Sequence, residues 1–468
     1  MKSIGSRGLK FSIFIFVVTH FVSYFYENKY LLWLLSITAL AIIVFSILKL
    51  NIRNIKIPFV LFLTGIVLLL FLGIDFIENL SAGLRQMRNI VGLLIVVPMI
   101  RFVLMEENYI NSVLTMFHTF MNTSRKFYAG MLGFTQIIAY FLLFGAIPML
   151  YDVVNSILKN KQGDAWEHFK STALLRGFAL SVIWAISIPS FAYVVEIMEA
   201  PLGTTILQGF GIAVVGTFIA VIFFHYESKR YEVDVTAGLQ SEINKVLKYE
   251  ESKGETKRLT GEFILLFITL VASIFIAYSI FNLELLVLIP LIVIVWITAY
   301  YLLKRKPKRF TQEVYSYFLN DAESQGYQLS MMLGVGVFIY ALNHTGFAQL
   351  VVDGIYSIQE ALPFLNMLYF LPFIIIILGF FGLGPMTVMV LVGGILETVH
   401  LPYPPELTVL AITSGSAISI LLSPLIMPVI IISSANKLSA LKNGIGFNWK
   451  FAITIYVVVQ VYIQLMIL

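Results

Sequence analysis

The sequence predicts an all-α polytopic membrane protein with about eleven transmembrane helices and two re-entrant helical hairpins in two inverted repeats. Composition, charge distribution and an internal repeat lead to this fold class. Of 468 residues, 59% are hydrophobic and only 12% are charged, about half the charged share of an average soluble domain. Lipid must therefore be the solvent for most of the surface, and apolar stretches of about 20 residues match the hydrocarbon core of a bilayer.

These apolar stretches recur along the whole chain. The first one is retained as a membrane helix rather than read as a signal peptide, because no small-residue cleavage site follows it and Glu27, Asn28 and Lys29 lead directly into the next stretch. The predicted crossings are 11–27, 30–48, 57–77, 85–104, 172–197, 206–226, 261–280, 284–303, 327–346, 405–434 and 449–467.

Basic residues lie in short clusters between the apolar stretches, such as Lys49, Arg53 and Lys56. The positive-inside rule assigns these clusters to the cytoplasm. With the N-terminus inside, they all fall there only if the apolar segments 129–158 and 364–396 enter the membrane and return. The C-terminus is then outside, and the chain is expected in the cytoplasmic (inner or plasma) membrane.

An internal repeat supports the same arrangement. Gly145-x-x-Pro148-Met149 in the first half corresponds to Gly382-x-x-Pro385-Met386 in the second, and Pro189 and Pro424 follow these motifs at nearly equal distances. We therefore divide the chain into an extra N-terminal helix (1–29), a first repeat (30–226, with hairpin 129–158 and interrupted helix 172–197), a cytoplasmic linker (227–260) and a second repeat (261–468, with hairpin 364–396 and interrupted helix 405–434). A unit of five crossings and one re-entrant hairpin ends on the opposite side of the membrane, so the second copy must be inverted.

Several functional classes are not indicated. The chain has no cysteine, no phosphate-binding Gly-Lys-Ser/Thr loop, no metal-spaced histidine cluster and no Gly-x-Ser-x-Gly motif. The net charge of +5 is spread between spans rather than over one face, which argues against nucleic-acid binding. We expect no enzyme activity, no cofactor other than a coupling Na⁺ or H⁺, and two partners, the lipid bilayer and a small-molecule or amphiphilic substrate.

The order of span, interfacial helix, hairpin, interrupted span and span resembles the ion transporter superfamily over roughly residues 30–468. That superfamily includes divalent-anion symporters, citrate–metal symporters, arsenite permeases and the large membrane subunits of tripartite periplasmic transporters. The resemblance implies a scaffold that often forms homodimers and a transport domain that moves by an elevator mechanism. It also implies hairpin tips at 145–149 and 382–387 and unwound helix segments at 187–190 and 419–424. The Ser-Asn-Thr tip motif of the sodium-coupled dicarboxylate branch is absent from both hairpins.

The candidate substrate- and ion-binding residues are the glycines, prolines and hydroxyl residues of these breaks. Hydroxyls and freed carbonyls suit Na⁺ or polar substrate oxygens, and we expect a Na⁺ near Ser419 and Thr387; packing or bonding within the helix is the alternative role. The set comprises Gly145, Pro148, Ser187, Pro189, Ser190, Gly382, Gly384, Pro385, Thr387, Thr413, Ser414, Ser416, Ser419, Ser423 and Pro424.

Two charged residues complete the candidate site, because charges inside a membrane are functional candidates. Asp152 could carry a coupling proton or coordinate a cation with Asn155, or it could be an interfacial acid. Arg176 could pair with an anionic substrate or with Asp152, or extend to the lipid headgroups.

The leading functional hypothesis is a secondary active transporter of a small anionic or organic solute, coupled to Na⁺ or H⁺. One alternative is a flippase or exporter of an amphiphilic or lipid-linked substrate, because the predicted site is rich in Phe, Leu and Met. The other is a non-transporting membrane scaffold or sensor whose linker recruits a partner.

Overall fold

The structure of the protein is a computed structural model that describes residues 2–52, 55–73, 75–118, 123–158, 163–229, 253–281, 283–361, 366–399 and 401–468. All regular elements within these ranges are helices. Those of the first half are α1 (Lys2–Phe25), α2 (Lys29–Leu50), α3 (Lys56–Phe71), α4 (Phe76–Gln86), α5 (Arg88–Val96), α6 (Arg101–Glu106), α7 (Tyr109–His118), α8 (Ser124–Leu142), α9 (Ala146–Ile157), α10 (Asp164–Ser181), α11 (Pro189–Ile197) and α12 (Leu202–Ser228).

The second half contains ten α-helices within the described residues. They are α13 (Lys253–Ile280), α14 (Leu285–Leu303), α15 (Pro307–Ser316), α16 (Gly326–Asn343), α17 (Phe347–Ala361), α18 (Met367–Phe380), α19 (Pro385–Leu396), α20 (Pro405–Leu422), α21 (Met427–Asn436) and α22 (Phe447–Ile467). Helices α12 and α13 extend into the predicted linker from either side, and the rest of that linker, 230–252, lies outside the described residues.

The predicted fold class is confirmed at the level of an all-helical, multi-pass membrane protein. Within the described residues, nine helical stretches are long and apolar enough to cross a bilayer. Two of these nine, Ser124–Asn155 and Pro405–Asn436, each contain two of the helices named above. Three further apolar helices, α3, α18 and α19, are shorter. The finer division into eleven crossings and two re-entrant hairpins stays a prediction.

Helices α8 and α9 pack against each other and are called here the first helical pair. Their connection is a short 3₁₀ turn, Leu143–Gly145. The residue with left-handed backbone geometry is Leu143, at φ 50°. Pro148 lies in the first turn of α9 rather than at the break, since a proline there removes an N–H that has no partner within the helix.

Helices α18 and α19 form the second helical pair, which also packs against itself. Its connection contains Gly382 at φ 84°, where glycine accepts a geometry that is unfavourable for other residues. Pro385 is the first residue of α19, a position for which proline is well suited. Leu143 and Gly382 thus have the same role in the two connections, although Leu143 does so with strain.

Each half also contains one broken helix. Helix α10 ends at Ser181 and α11 begins at Pro189, so that Ser187 lies in the non-helical segment between them. In the second half α20 continues through Ser419 to Leu422, and the break comprises only residues 423–426, including Ser423 and Pro424. The expected unwinding at Ser419 is therefore wrong, because the backbone there keeps its helical hydrogen bond to Ser423 N–H.

The two halves pack in matching ways. Helix α8 lies along α10 and α18 lies along α20, with a glycine at each contact: a Cβ on Gly177 would be 2.8 Å from the Leu132 carbonyl oxygen, and one on Gly415 would be 2.9 Å from that of Pro372. The second helix of each pair packs against the broken helix of the other half: α9 packs against α21, and α19 packs against α11. The first broken helix is buried at its break, whereas the other three breaks include exposed residues, Gly145, Phe381 and Leu425.

Candidate functional site

Breaks from both halves border one small internal cavity, called here the central cavity. Its volume is about 10 Å³, which is enough for roughly one water molecule. The first helical pair, the first broken helix, the second helical pair and the last turns of α20 all contribute. The lining residues are Leu143, Phe144, Phe178, Val182, Ile188, Ser190, Pro385, Met386, Ser416 and Ile420.

Two helix N-termini face this cavity, those of α11 and α19. Among the described residues, no side chain caps the first turn of either helix. Pro189 and Pro385 have no N–H, so the first free backbone donors belong to Ser190 and Met386. These N-termini bring partial positive charge to the cavity, and the C-terminal ends of α8, α10 and α20, which contribute Leu143, Val182 and Ile420, bring partial negative charge. Among the described residues, no charged side chain lines it.

The hydroxyl groups of α20 fall into two classes. Thr413 and Ser414 donate to carbonyl oxygens of their own helix, at 3.2 and 2.9 Å. The Ser416 and Ser419 Oγ atoms are buried and have no hydrogen-bond partner among the described residues. Such groups are destabilising unless water or a ligand satisfies them, and Ser416 is the one that lines the central cavity.

The serines at the two breaks make equivalent bonds. Ser187 Oγ donates to the Tyr140 carbonyl oxygen, and Ser423 Oγ donates to that of Gly379 at 2.8 Å. Each bond joins a broken helix to the first arm of the helical pair in its own half. Both serines are thus committed to holding the backbone rather than available to a solute.

A much larger open cleft of about 680 Å³ lies next to the central cavity. Leu143 and Phe144 line both spaces and separate them. Gln328 of α16 also lines the cleft, and its Nε2 reaches the Sδ of Met386, a central-cavity residue, at 3.1 Å. A movement of the first connection would therefore open the cavity to the cleft.

The cleft carries charged side chains, but most of these form ion pairs with residues of opposite charge. Arg101 pairs with Asp321, while Glu106 receives Lys306 at 2.7 Å and Arg309 at 2.6 Å. Met427, the first residue of α21, and Gly145 lie on the same cleft. The cleft is consequently polar at its rim and apolar where it reaches the first connection.

The two charged candidates lie outside both spaces. Asp152 is exposed on α9 and lines neither the central cavity nor the cleft. Arg176 is fully buried and pairs with Glu227 at 3.1 Å, not with Asp152. Its guanidinium also donates to Asn448, Tyr128 and the Phe447 carbonyl oxygen. Arg176 therefore joins α8, α10, α12 and α22 in a closed polar network.

Of the residues predicted from sequence, Ser190, Pro385 and Ser416 line the central cavity and Gly145 lines the cleft. Thr387 is buried in the first turn of α19. The candidates that line neither space are Pro148, Ser187, Pro189, Gly382, Gly384, Thr387, Thr413, Ser414, Ser419, Ser423, Pro424, Asp152 and Arg176.

Sequence reasoning missed Leu143, Phe144 and Gln328. In the sequence, Leu143 and Phe144 cannot be distinguished from lipid-facing apolar residues. Only the geometry of the turn directs them toward the central cavity. Gln328 is a polar residue in the apolar stretch 327–346, which was a detectable signal. Comparison of the chain with known protein families and with curated proteins finds no match.

Proposed function

We propose that this protein is a secondary active transporter of a small anionic or organic solute, coupled to Na⁺ or H⁺. The observation that carries the proposal is the meeting of breaks from both halves at the central cavity, beside an open cleft. In membrane proteins, non-helical backbone is tolerated where it is buried or lines a cavity, and paired breaks mark the binding sites of transporters built from repeats.

Matched contacts in the two halves support the inverted-repeat arrangement with two re-entrant hairpins and about eleven crossings. The bonds of Ser187 to Tyr140 and of Ser423 to Gly379 connect equivalent elements. In the predicted orientation, with the N-terminus in the cytoplasm and the C-terminus outside, the cleft opens to the cytoplasm because its rim carries Arg101 and Arg309.

The central cavity offers hydrogen-bond donors to an anion. The uncapped N-termini of α11 and α19 supply N–H groups, and among the described residues no acidic side chain lines the cavity. Ser190 and Ser416 add two hydroxyl groups. At about 10 Å³ the cavity is too small for a solute, so a solute would fit only after Leu143 and Phe144 move away from it.

An amphiphilic substrate is the second candidate, and the apolar lining favours it. Apart from Ser190 and Ser416, the described side chains that line the central cavity are all apolar. A flippase or exporter of a lipid-linked substrate would use the same breaks but would have to open the cavity toward the bilayer.

The test is uptake by purified protein in proteoliposomes, with a panel of labelled anions and uncharged solutes and with imposed Na⁺ or H⁺ gradients. Ser416→Ala removes a cavity hydroxyl and should raise the KM of the transported solute up to about tenfold, the value of one hydrogen bond. Ser414→Ala is the matched control, because this hydroxyl lies on the same helix and bonds to its own backbone.

Uptake that depends on one gradient and responds to Ser416→Ala but not to Ser414→Ala would support the proposal. Movement of a fluorescent phospholipid between leaflets, without solute uptake, would favour the amphiphile instead. Folded protein that moves neither solutes nor lipids would refute both.

A further inference from the structure

The connection of the first helical pair, residues 143–145, is strained in a way that the second connection is not. Leu143 has φ 50° and ψ −129°, close to the values of the first central residue in a type II′ turn, a position that glycine usually occupies. A residue with a Cβ is unfavourable there. In the second connection the corresponding residue is Gly382 at φ 84°, a value that glycine accepts without strain.

The strained residue lies at the boundary between the central cavity and the cleft. Of the ten described residues that line the cavity, Leu143 and Phe144 are partly exposed and the others are buried. The same two residues also line the open cleft. Passage from the cleft into the cavity therefore requires that these two side chains move.

Apolar contacts hold the first connection in its observed position. The Phe144 ring packs on the Phe178 ring of α10, with 5.5 Å between the ring centres. Among the described residues, no side chain caps this turn with a hydrogen bond. Gly145 is exposed, and a Cβ there would have Leu142 Cβ as its nearest contact, at 3.8 Å. A larger residue would therefore fit at position 145, and the glycine instead makes the turn easier to rearrange.

We propose that the first connection is a gate to the central cavity and that strain at Leu143 favours its opening. When the turn opens, Leu143 adopts ordinary backbone geometry and the strain is released. The packing of Phe144 on Phe178 opposes this movement. Opening makes the hydroxyl groups of Ser190 and Ser416 reachable from the cleft. The proposal rests on the proposed function for the use of the cavity, but the movement itself can be measured without transport.

The experiment uses a single thiol, because the chain contains no cysteine. Ser416→Cys places this thiol at a residue of the cavity that is 0% exposed. The purified full-length protein in detergent is treated with 2-aminoethyl methanethiosulfonate, and the rate of modification is followed by mass spectrometry. Leu143→Ala and Leu143→Gly are added to this background. Both remove the isobutyl group, but only alanine keeps the strain, since glycine accepts the φ of 50°.

We expect the Ser416→Cys thiol to react about tenfold faster with Leu143→Ala than with Leu143→Gly, which corresponds to about 1.4 kcal/mol of strain. Phe144→Ala should also speed the reaction, because it removes the contact with Phe178. Ser414→Cys supplies the control thiol. Ser414 is also buried on α20 but does not line the cavity, so its thiol should react slowly in every variant.

A faster reaction with Leu143→Ala than with Leu143→Gly, and a slow reaction of Ser414→Cys in both, would support the gate. Equal rates in the two Leu143 variants, or a Ser416→Cys thiol that never reacts in folded protein, would overturn it. Reaction of Ser414→Cys at the rate of Ser416→Cys would also overturn it, because the opening would then not be local to the first connection.

Unfolding temperatures identify a variant that is misfolded. If Ser416→Cys is misfolded, Ser190→Cys takes its place, because Ser190 lines the same cavity from the first half of the chain. A gate that opens in protein without any solute uptake would refute the proposed function and leave the gate supported.

Discussion

Arg176→Met is the substitution that tests the energetics of this fold most directly. Arg176 is fully buried, and its removal would leave Glu227, whose side chain is only 21% exposed, without its main counter-charge. Methionine keeps a long apolar side chain beside Phe451, whose ring lies 4.8 Å from the guanidinium carbon. The loss would therefore be electrostatic rather than steric.

The expected destabilisation follows from the partners of Arg176. The guanidinium donates to Asn448, Tyr128, the Phe447 carbonyl oxygen and both carboxylate oxygens of Glu227. At about 0.6 kcal/mol for each bond within a membrane protein, these contribute about 3 kcal/mol. Removal of one partner of a buried ion pair gives a similar value, about 3–5 kcal/mol. Glu227→Gln should be milder, because the amide still accepts from Arg176 and the residue is partly exposed.

The assay is a double-mutant cycle on reversible unfolding in mixed micelles. If the pair is coupled as the geometry indicates, Arg176→Met with Glu227→Gln should be more stable than the sum of the single effects predicts, by about 1–2 kcal/mol. Additive single effects would show that the two side chains do not interact. A destabilisation below about 1 kcal/mol for Arg176→Met would refute the reasoning from burial.

Two further predictions concern other parts of the structure. Gly379→Ala should destabilise the protein by about 2 kcal/mol, because the added Cβ would overlap Ser419 Oγ. Adding Ser419→Ala in a double variant should restore part of the lost stability. Both effects are measured by unfolding in mixed micelles. Burial opposes ionisation of Glu323, but hydrogen bonds from Ser6 and Lys49, together with the charges of Lys49 and Lys10, lower its pKa below the usual 4.5. The interactions of ionised Glu323 therefore stabilise the protein above pH 4.5 and are lost as the pH falls through the lowered pKa. Because Glu323→Gln removes this titration, the unfolding temperature of the variant should fall less steeply on acidification. An unchanged slope of unfolding temperature against pH would contradict this.

The fold class could be predicted from the sequence because few backbone structures are possible in a bilayer. Apolar stretches of membrane length can only be helices in lipid, and their recurrence predicts a multi-pass chain. The positions of the main breaks were also predictable, because proline and glycine favour breaks and Pro189, Gly382 and Pro385 stand in the matched motifs of the repeat. These features depend on local chemistry, which a single sequence contains.

Local chemistry was insufficient where tertiary packing selects the geometry. The left-handed turn in the first connection falls on Leu143 rather than on Gly145, because the surrounding helices impose a backbone that leucine alone would avoid. Likewise, helix α20 continues through Ser419 although the neighbouring serines suggested an interruption.

The sequence by itself therefore determined the solvent, the helical class and the approximate positions of the four breaks. Only the tertiary structure decided which breaks meet, and that Ser190 and Ser416 line one cavity. It also decided that Ser187 and Ser423 donate hydrogen bonds to the backbone, and that Arg176 pairs with Glu227. The physical reason is that these contacts join residues far apart in the chain, and their partners are selected by how whole helices pack.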